Sequence, residues 1–201
     1  MLTIPPAELM SLLELAVGVG FEVAVHAIGD EANSLALDAF AATGAVGSIE
    51  HAQLLAERDV PRFAALGVVA SVQPEHAMDD RDVADHHWHG RTGRSFVLRS
   101  LLDAGARLAL GSDAPVAPLD PWVSIAAAVG RARDGREPWH PEQSITFVEA
   151  LDASTRSTVS VGQPADLVLT DIDPYSADPE LLRSMPVAAT LLAGRFTHNA
   201  L

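Results

Sequence analysis

Three side chains in this sequence have the types and positions for chemistry at a single point: His26, His51 and Asp113. His26 closes the apolar stretch EVAVH, His51 stands at the far end of VGSIEH, and Asp113 sits in the Gly-Ser-Asp-Ala-Pro turn after RLAL. Each is expected at the carboxyl end of a short strand with a helix following. That is where parallel α/β folds gather ligand-binding side chains on one face. Two neutral imidazoles and a carboxylate suit a divalent ion such as zinc, and an aspartate beside it can take a proton from water as it attacks a carbonyl. Taken singly, each residue fits a hydrogen-bonded polar rim equally well. Recurrence at matching positions is what favours a site.

The elements that must position them follow from periodicity and punctuation. Pro6-Ala7-Glu8 with Leu9, Leu12, Leu13, Ala16 and Val17 predicts a helix begun by proline and acid and stopped by glycine. Glu22–Val25 reads as a strand, and Ala32, Leu35, Ala36, Ala39 and Phe40 mark the helix after it. A second strand lies within 46–53 and a helix within 59–66, then VVASVQ forms a third strand that Pro74 ends. Residues 75–95, polar and histidine-rich, are expected to form a long loop. A helix over 96–103, a strand over 107–110 and helices over 122–132 and 141–153 complete this region. Strand–helix repeated four times predicts βαβ units with a parallel sheet. It fits half of an eight-fold barrel or a small open sheet, and periodicity does not choose between them. From about Val161 the pattern changes: QPADLVLTDIDPYS and VAATLLAGRF alternate and turn like two or three antiparallel strands.

Composition excludes several classes. The chain has 201 residues, enough for one sizeable core and a small appendage, with 48% hydrophobic and 20% charged residues. A net charge of −14 argues against nucleic acid as a partner, and the absence of cysteine removes disulfides and thiolate ligands. No apolar run is long enough to span a membrane and the amino terminus, with Glu8 and Glu14, is unlike a signal peptide, so a cytoplasmic location is expected. No phosphate-cradling glycine pattern is present, and Ser112 lacks the flanking glycines of a nucleophile elbow.

Weaker candidates surround the three. His76 and Gln73 follow the third strand and are candidate substrate contacts, as are Arg91 and Arg94 for an acidic group; a rim histidine and solvated charges are the plain alternatives. Glu50 could orient His51, although alternation points it to the other face. The His86-His87-Trp88-His89 cluster is dense in imidazole but lacks carboxylate geometry. Trp88, Trp122 and Trp139 fit a pocket mouth or ordinary packing.

The segments VAVHAIGDEAN, SIEHAQLL, ASVQPEHAMDD, RSLLDAGARLALGSDAP, VGQPADLVLTDIDP and TLLAGRF, in this order, resemble the second half of a metal-dependent amidohydrolase of the amidohydrolase 3, or exoenzyme-regulatory-like, branch. The likeness covers nearly the whole chain. It implies a TIM-like (β/α)8 hydrolase barrel of which residues 1–160 supply the units of strands five to eight, with part of a small β-sandwich over 161–201. By this resemblance His26 ends the fifth strand and His51 the sixth, both at a metal or substrate. Asp113 follows the eighth strand, contacts metal and shuttles a proton between water and leaving group. The implied reaction is hydrolysis of a carbon–nitrogen bond in a small amide-like molecule, with one or two zinc ions.

The chain also departs from that pattern. No His-x-His pair precedes His26, and the one at His87–His89 lies elsewhere; no lysine precedes His26 to serve as the fourth-strand ligand. Met1 is accordingly expected to mark the boundary of a fragment, a split gene or a misplaced start. Half a barrel leaves open edges and an apolar interior face, so a second copy or a complementing amino-terminal half is the expected partner. The alternative to an enzyme is a catalytically inactive α/β fragment acting as a dimerising or partner-binding module.

Overall fold

The structure is a computed structural model that describes residues 3–201; Met1 and Leu2, with which the first expected domain begins, lie outside the described residues. Helix α1 (Pro6–Val19) carries proline at its start and Glu8 in its first turn, and ends on Gly20 in the left-handed region at φ 76°. Strands β1 (Val23–Ala27), β2 (Gly47–His51), β3 (Val69–Val72) and β4 (Leu108–Leu110) then form a parallel sheet in the order β1-β2-β3-β4. Helix α2 (Asp30–Thr43) joins the first two strands and α3 (Val60–Leu66) the next two. The crossover from β3 to β4 carries α4 (Pro74–His87) and α5 (Leu98–Asp103). Apolar side chains on the helix-covered face form the main core, with Leu37, Phe40, Ile49, Phe63, Val72, Leu98 and Leu101 almost wholly buried. Gly47 permits the first contact of β1 with β2: a Cβ there would lie 1.8 Å from the Val23 carbonyl oxygen.

One expectation fails here. Residues 75–95 are not a long loop, because fourteen of the residues from Pro74 onward form α4. The dense Asp and His content hid its short apolar stripe, in which Ala77, Met78 and Ala84 are buried against Phe96, Ala127 and Trp139. The start signals were local: proline in the first turn, Glu75 at the positive end of the helix dipole, and His86 and His87 in its last turn. Pro74 thus ends a strand and begins a helix at once. Smaller shifts are found elsewhere. Strand β1 runs through His26 to Ala27, and the helix expected over 141–153 is a short 3₁₀ turn followed by α7 (Phe147–Ser154).

Helix α6 (Pro121–Gly130) packs on α4 and α7. Beyond α7, strands β5 (Leu167–Thr170), β6 (Val187–Leu192) and β7 (Arg195–Asn199) form an antiparallel sheet in that order. A five-residue helix, α8 (Pro179–Arg183), lies between β5 and β6 and was not foreseen, being too short for a periodic signal. It is tied to the first layer, since Leu182 and Met185 belong to the main core. The approach to α6 is close: a Cβ on Gly130 would stand 2.6 Å from the Pro179 ring. Among the described residues no helix is long and apolar enough to cross a membrane.

Candidate metal centre

His26, His51, His76 and Asp113 reach one end of the parallel sheet from four consecutive strand–helix units. His26 is on β1, His51 ends β2, His76 is in the first turn of α4 directly after β3, and Asp113 follows β4. The His26 and His51 rings meet edge to face with centroids 4.3 Å apart. The His51 and His76 rings stack at 6.0 Å with 17° between their planes. Among the described residues, one set of His and carboxylate donors has its atoms within 4.8 Å of one another: His51, His76 and Asp113. His26 touches this set through His51 and is not part of it.

Strict alternation would not assemble this arrangement. In the register of β1 with β2, His26 pairs with Glu50 and Ala27 with His51, so an extended His51 would share the face of buried Ala27. The backbone instead turns left-handed there, with φ 74° at His51 and 42° at Ala52. Non-glycine residues at positive φ are uncommon, and two in succession store about 1–3 kcal/mol each. Glu50 lies on the His26 face and accepts a hydrogen bond from Ser48 Oγ at 2.5 Å. Asp113 also sits at positive φ, 53°. Its loop is anchored by the Gly111 N–H donating to the Val72 carbonyl and by Ser124 Oγ donating to the Gly111 carbonyl, at 2.9 and 2.8 Å.

Buried polar residues hold the frame around the cluster. Asn33, fully buried in α2, directs its amide nitrogen to the carbonyls of Ala27, Ile28, Gly29 and Leu54 at 2.9–3.3 Å. It thereby ties the exit of β1 to the loop after β2. Glu75, 3% exposed, accepts from Arg133 at 2.7 Å and from Arg183 at 2.8 Å, which fixes the turn of α4 that carries His76. Neither residue stood out in the sequence. The signal for Asn33 was a polar residue among the apolar positions of α2; for Glu75 it was the acid after Pro74.

The electrostatics favour neutral imidazole. Burial above all, and then the neighbouring His26, hold the His51 pKa below its usual 6.5, against an opposing pull from Asp113. A neutral ring keeps a lone pair for a ligand. His76 is 6% exposed, and its Nε2 is buried with no hydrogen-bond partner. Two imidazoles, one of them with an orphaned buried nitrogen, and a carboxylate fit a divalent ion of borderline softness.

The weaker candidates are placed differently. Arg91 and Arg94 both donate to Asp30 at the start of α2, at 3.2 and 3.3 Å. Gln73 is buried and makes a long contact of 3.5 Å with the Ser71 carbonyl. His86, His87 and His89 are exposed at the far end of α4. Trp139 packs in the second core, with Phe96 at 6.0 Å between centroids.

The chain is similar to several known proteins. The model of a family described as the amidohydrolase family matches residues 2–198. The chain is 38% identical to Protein LONG AFTER FAR-RED 3 of Arabidopsis thaliana over 215 residues, covering 94% of this chain and 36% of that protein. It is 28% identical to the N-substituted formamide deformylase of Arthrobacter pascens, over 94% of this chain and 38% of the enzyme. Among solved structures it is similar to an uncharacterized metal-dependent hydrolase from Pyrococcus furiosus, with 35% identity and a TM-score of 0.67 over 75% of this chain and 31% of that one. The chain therefore spans little more than a third of the length of these curated relatives.

Proposed function

Because this chain belongs to the amidohydrolase family, we propose that it carries a divalent-metal site for hydrolysing carbon–nitrogen bonds in small amide-like molecules. One observation carries this reading: three imidazoles and a carboxylate from four successive units converge at one end of the parallel sheet. A relative named for deformylating N-substituted formamides supports the bond type. Zinc is the ion that the nitrogen and oxygen donors favour, with His26, His51 and Asp113 as its ligands. When bound, it would polarise a carbonyl and make water more acidic.

The chain's own residues then have separate tasks. Asp113, exposed at the strand ends, takes a proton from the attacking water and passes it to the departing nitrogen, so it must begin ionised. His51, held neutral by burial and by His26, keeps its lone pair directed at the site. Gln73, directly after β3, is the amide assigned to substrate contact. Arg91 and Arg94, occupied by Asp30, position the loop after β1. We further propose that residues 1–160 correspond to strands five to eight of a (β/α)8 barrel and 161–201 to part of a β-sandwich. A second copy or a complementing amino-terminal half would then cover the open face of the parallel sheet.

The test is hydrolysis of N-substituted formamides and small N-acyl amines by zinc-loaded protein. Asp113→Asn is expected to lower the rate about 10²–10⁴-fold, and a chelator to abolish it. A rate indifferent to both would overturn the reading. Zinc-loaded protein that hydrolyses none of them, alone or with an added amino-terminal half, would favour a non-catalytic partner-binding module.

A further inference from the structure

We propose that Arg131 is the centre of an internal anion site, distinct from the cluster at the strand ends, which takes one small monovalent anion such as chloride. Arg131 caps the carboxyl end of α6 in the left-handed region, at φ 52°, and the residue is 0% exposed. Its Nε donates to the Trp139 carbonyl at 3.1 Å, and its guanidinium carbon lies 5.9 Å from the centre of the Trp139 ring. Nη1 and Nη2 are buried as well, with no hydrogen-bond partner among the described residues. The contrast with other arginines is plain. Arg62, Arg99, Arg133 and Arg183 are more exposed than Arg131, yet each meets a carboxylate at 2.6–2.9 Å.

A charge taken out of water persists when something of opposite sign meets it. Burial pushes the Arg131 pKa down to about 10, against an upward pull from Glu142, so the guanidinium stays charged at neutral pH. Glu142 acts on it only through space: its side chain is 59% exposed and its carboxylate contacts His140 Nδ1 at 3.1 Å. The N–H groups of Nη1 and Nη2 lie in one plane and form a fork suited to a single acceptor. Complete enclosure restricts the occupant to a small ion, and one positive charge calls for one negative charge.

The site also has something to hold. The Trp139 N–H donates to the Arg131 carbonyl at 2.7 Å, which closes the mostly exposed segment 132–138 into a loop. From that loop Arg133 reaches Glu75 and Asp79, and Arg136 reaches Asp82, all on α4. An anion at Arg131 therefore fastens the base of the loop that grips α4.

Urea unfolding in sodium chloride, with sodium gluconate keeping the ionic strength constant, tests this without reference to metal or turnover. Above the dissociation constant, each tenfold rise in chloride is expected to raise the wild-type folding constant up to about tenfold. Arg131→Met should remove that dependence, and in gluconate alone it should be at least as stable as wild type, because it removes an unpaired buried charge. Crystals of the wild-type protein grown in bromide should show an anomalous peak at Nη1 and Nη2 of Arg131, a readout that stands even if the variant fails to fold. A chloride dependence that is absent from wild type or equal in Arg131→Met, or bromide crystals with no peak there, would overturn the proposal and leave the reading of the strand-end site untouched.

Discussion

At the scale of single residues, the site depends on side chains that local pattern would turn elsewhere. His51 joins His26 and His76 because φ at His51 and Ala52 is 74° and 42°, against the preference of any residue with a Cβ. Strain of this kind persists only where neighbours over-determine it, and Asn33 is one that does so. Its amide nitrogen approaches four carbonyls at the exit of β1 and in the loop after β2, next to the two histidines. Asn33→Ala is expected to lower stability by about 1–3 kcal/mol through buried carbonyls left without a donor, read from urea unfolding, and to weaken zinc binding together with it. Zinc affinity unchanged in a destabilised Asn33→Ala would show that the loops keep their geometry unaided. The positions of His26, His51 and Asp113 in the chain were legible because each stands at or just after the end of a strand. The orientation of His51 was not, because alternation carries no information about a left-handed residue at a strand end. His76 was visible only as a polar residue after Pro74; its burial depends on α4 packing beneath it.

At the scale of elements, a helix is read correctly where its apolar stripe and its caps agree. Helix α4 has good terminal signals and a poor stripe, and its polar composition prevailed over them in the sequence. The start of α7 shows how local such signals are. Thr146 Oγ accepts from the Glu149 N–H, while the Glu149 carboxylate accepts from the Thr146 N–H at 2.8 Å, a reciprocal capping box. That backbone donor first, and then Arg99 on α5, lower the Glu149 pKa from 4.5 to about 2. The unfolded chain therefore takes up this proton before the folded one. The stabilisation is complete above about pH 4.5 and is lost as pH falls toward 2. Glu149→Gln retains an oxygen for the cap but removes the charge. It should cost about 0.5–1 kcal/mol at neutral pH and flatten the acid limb of stability in that window. Urea midpoints measured from pH 7 to 2.5 would check this, and an unchanged slope would refute the assignment.

At the scale of the whole molecule, one face and one edge are unfinished. The parallel sheet is covered by helices on one side, while Ala24, Ser48, Ser71 and Ala109 line an open groove on the other. Strand β1 is an edge of the sheet, and on α1 and in the segment leading from it to β1, Leu15, Val19 and Phe21 are 63%, 58% and 71% exposed. Exposed large apolar side chains and a free strand edge each favour association. The isolated chain is expected to be a dimer or larger species, and Leu15→Glu with Phe21→Glu to shift it toward monomer, as measured by light scattering on a sizing column. A monomeric wild-type chain at high concentration would count against pairing through this edge. The strand–helix alternation made the parallel layer readable in the sequence. The docking of α8 was not readable, since it rests on Gly130 allowing Pro179 to approach and on Glu75 meeting Arg183.

The delivery of one donor by each successive unit also imposes an order in time. During synthesis His26, His51 and His76 emerge before Asp113, and Asp113 arrives in place only when β4 has paired with β3 across the whole α4–α5 crossover. That pairing closes the longest loop in the parallel layer and is expected to be among its slower steps. Tight metal capture would then be a late event that reports completion of the sheet and cannot nucleate it.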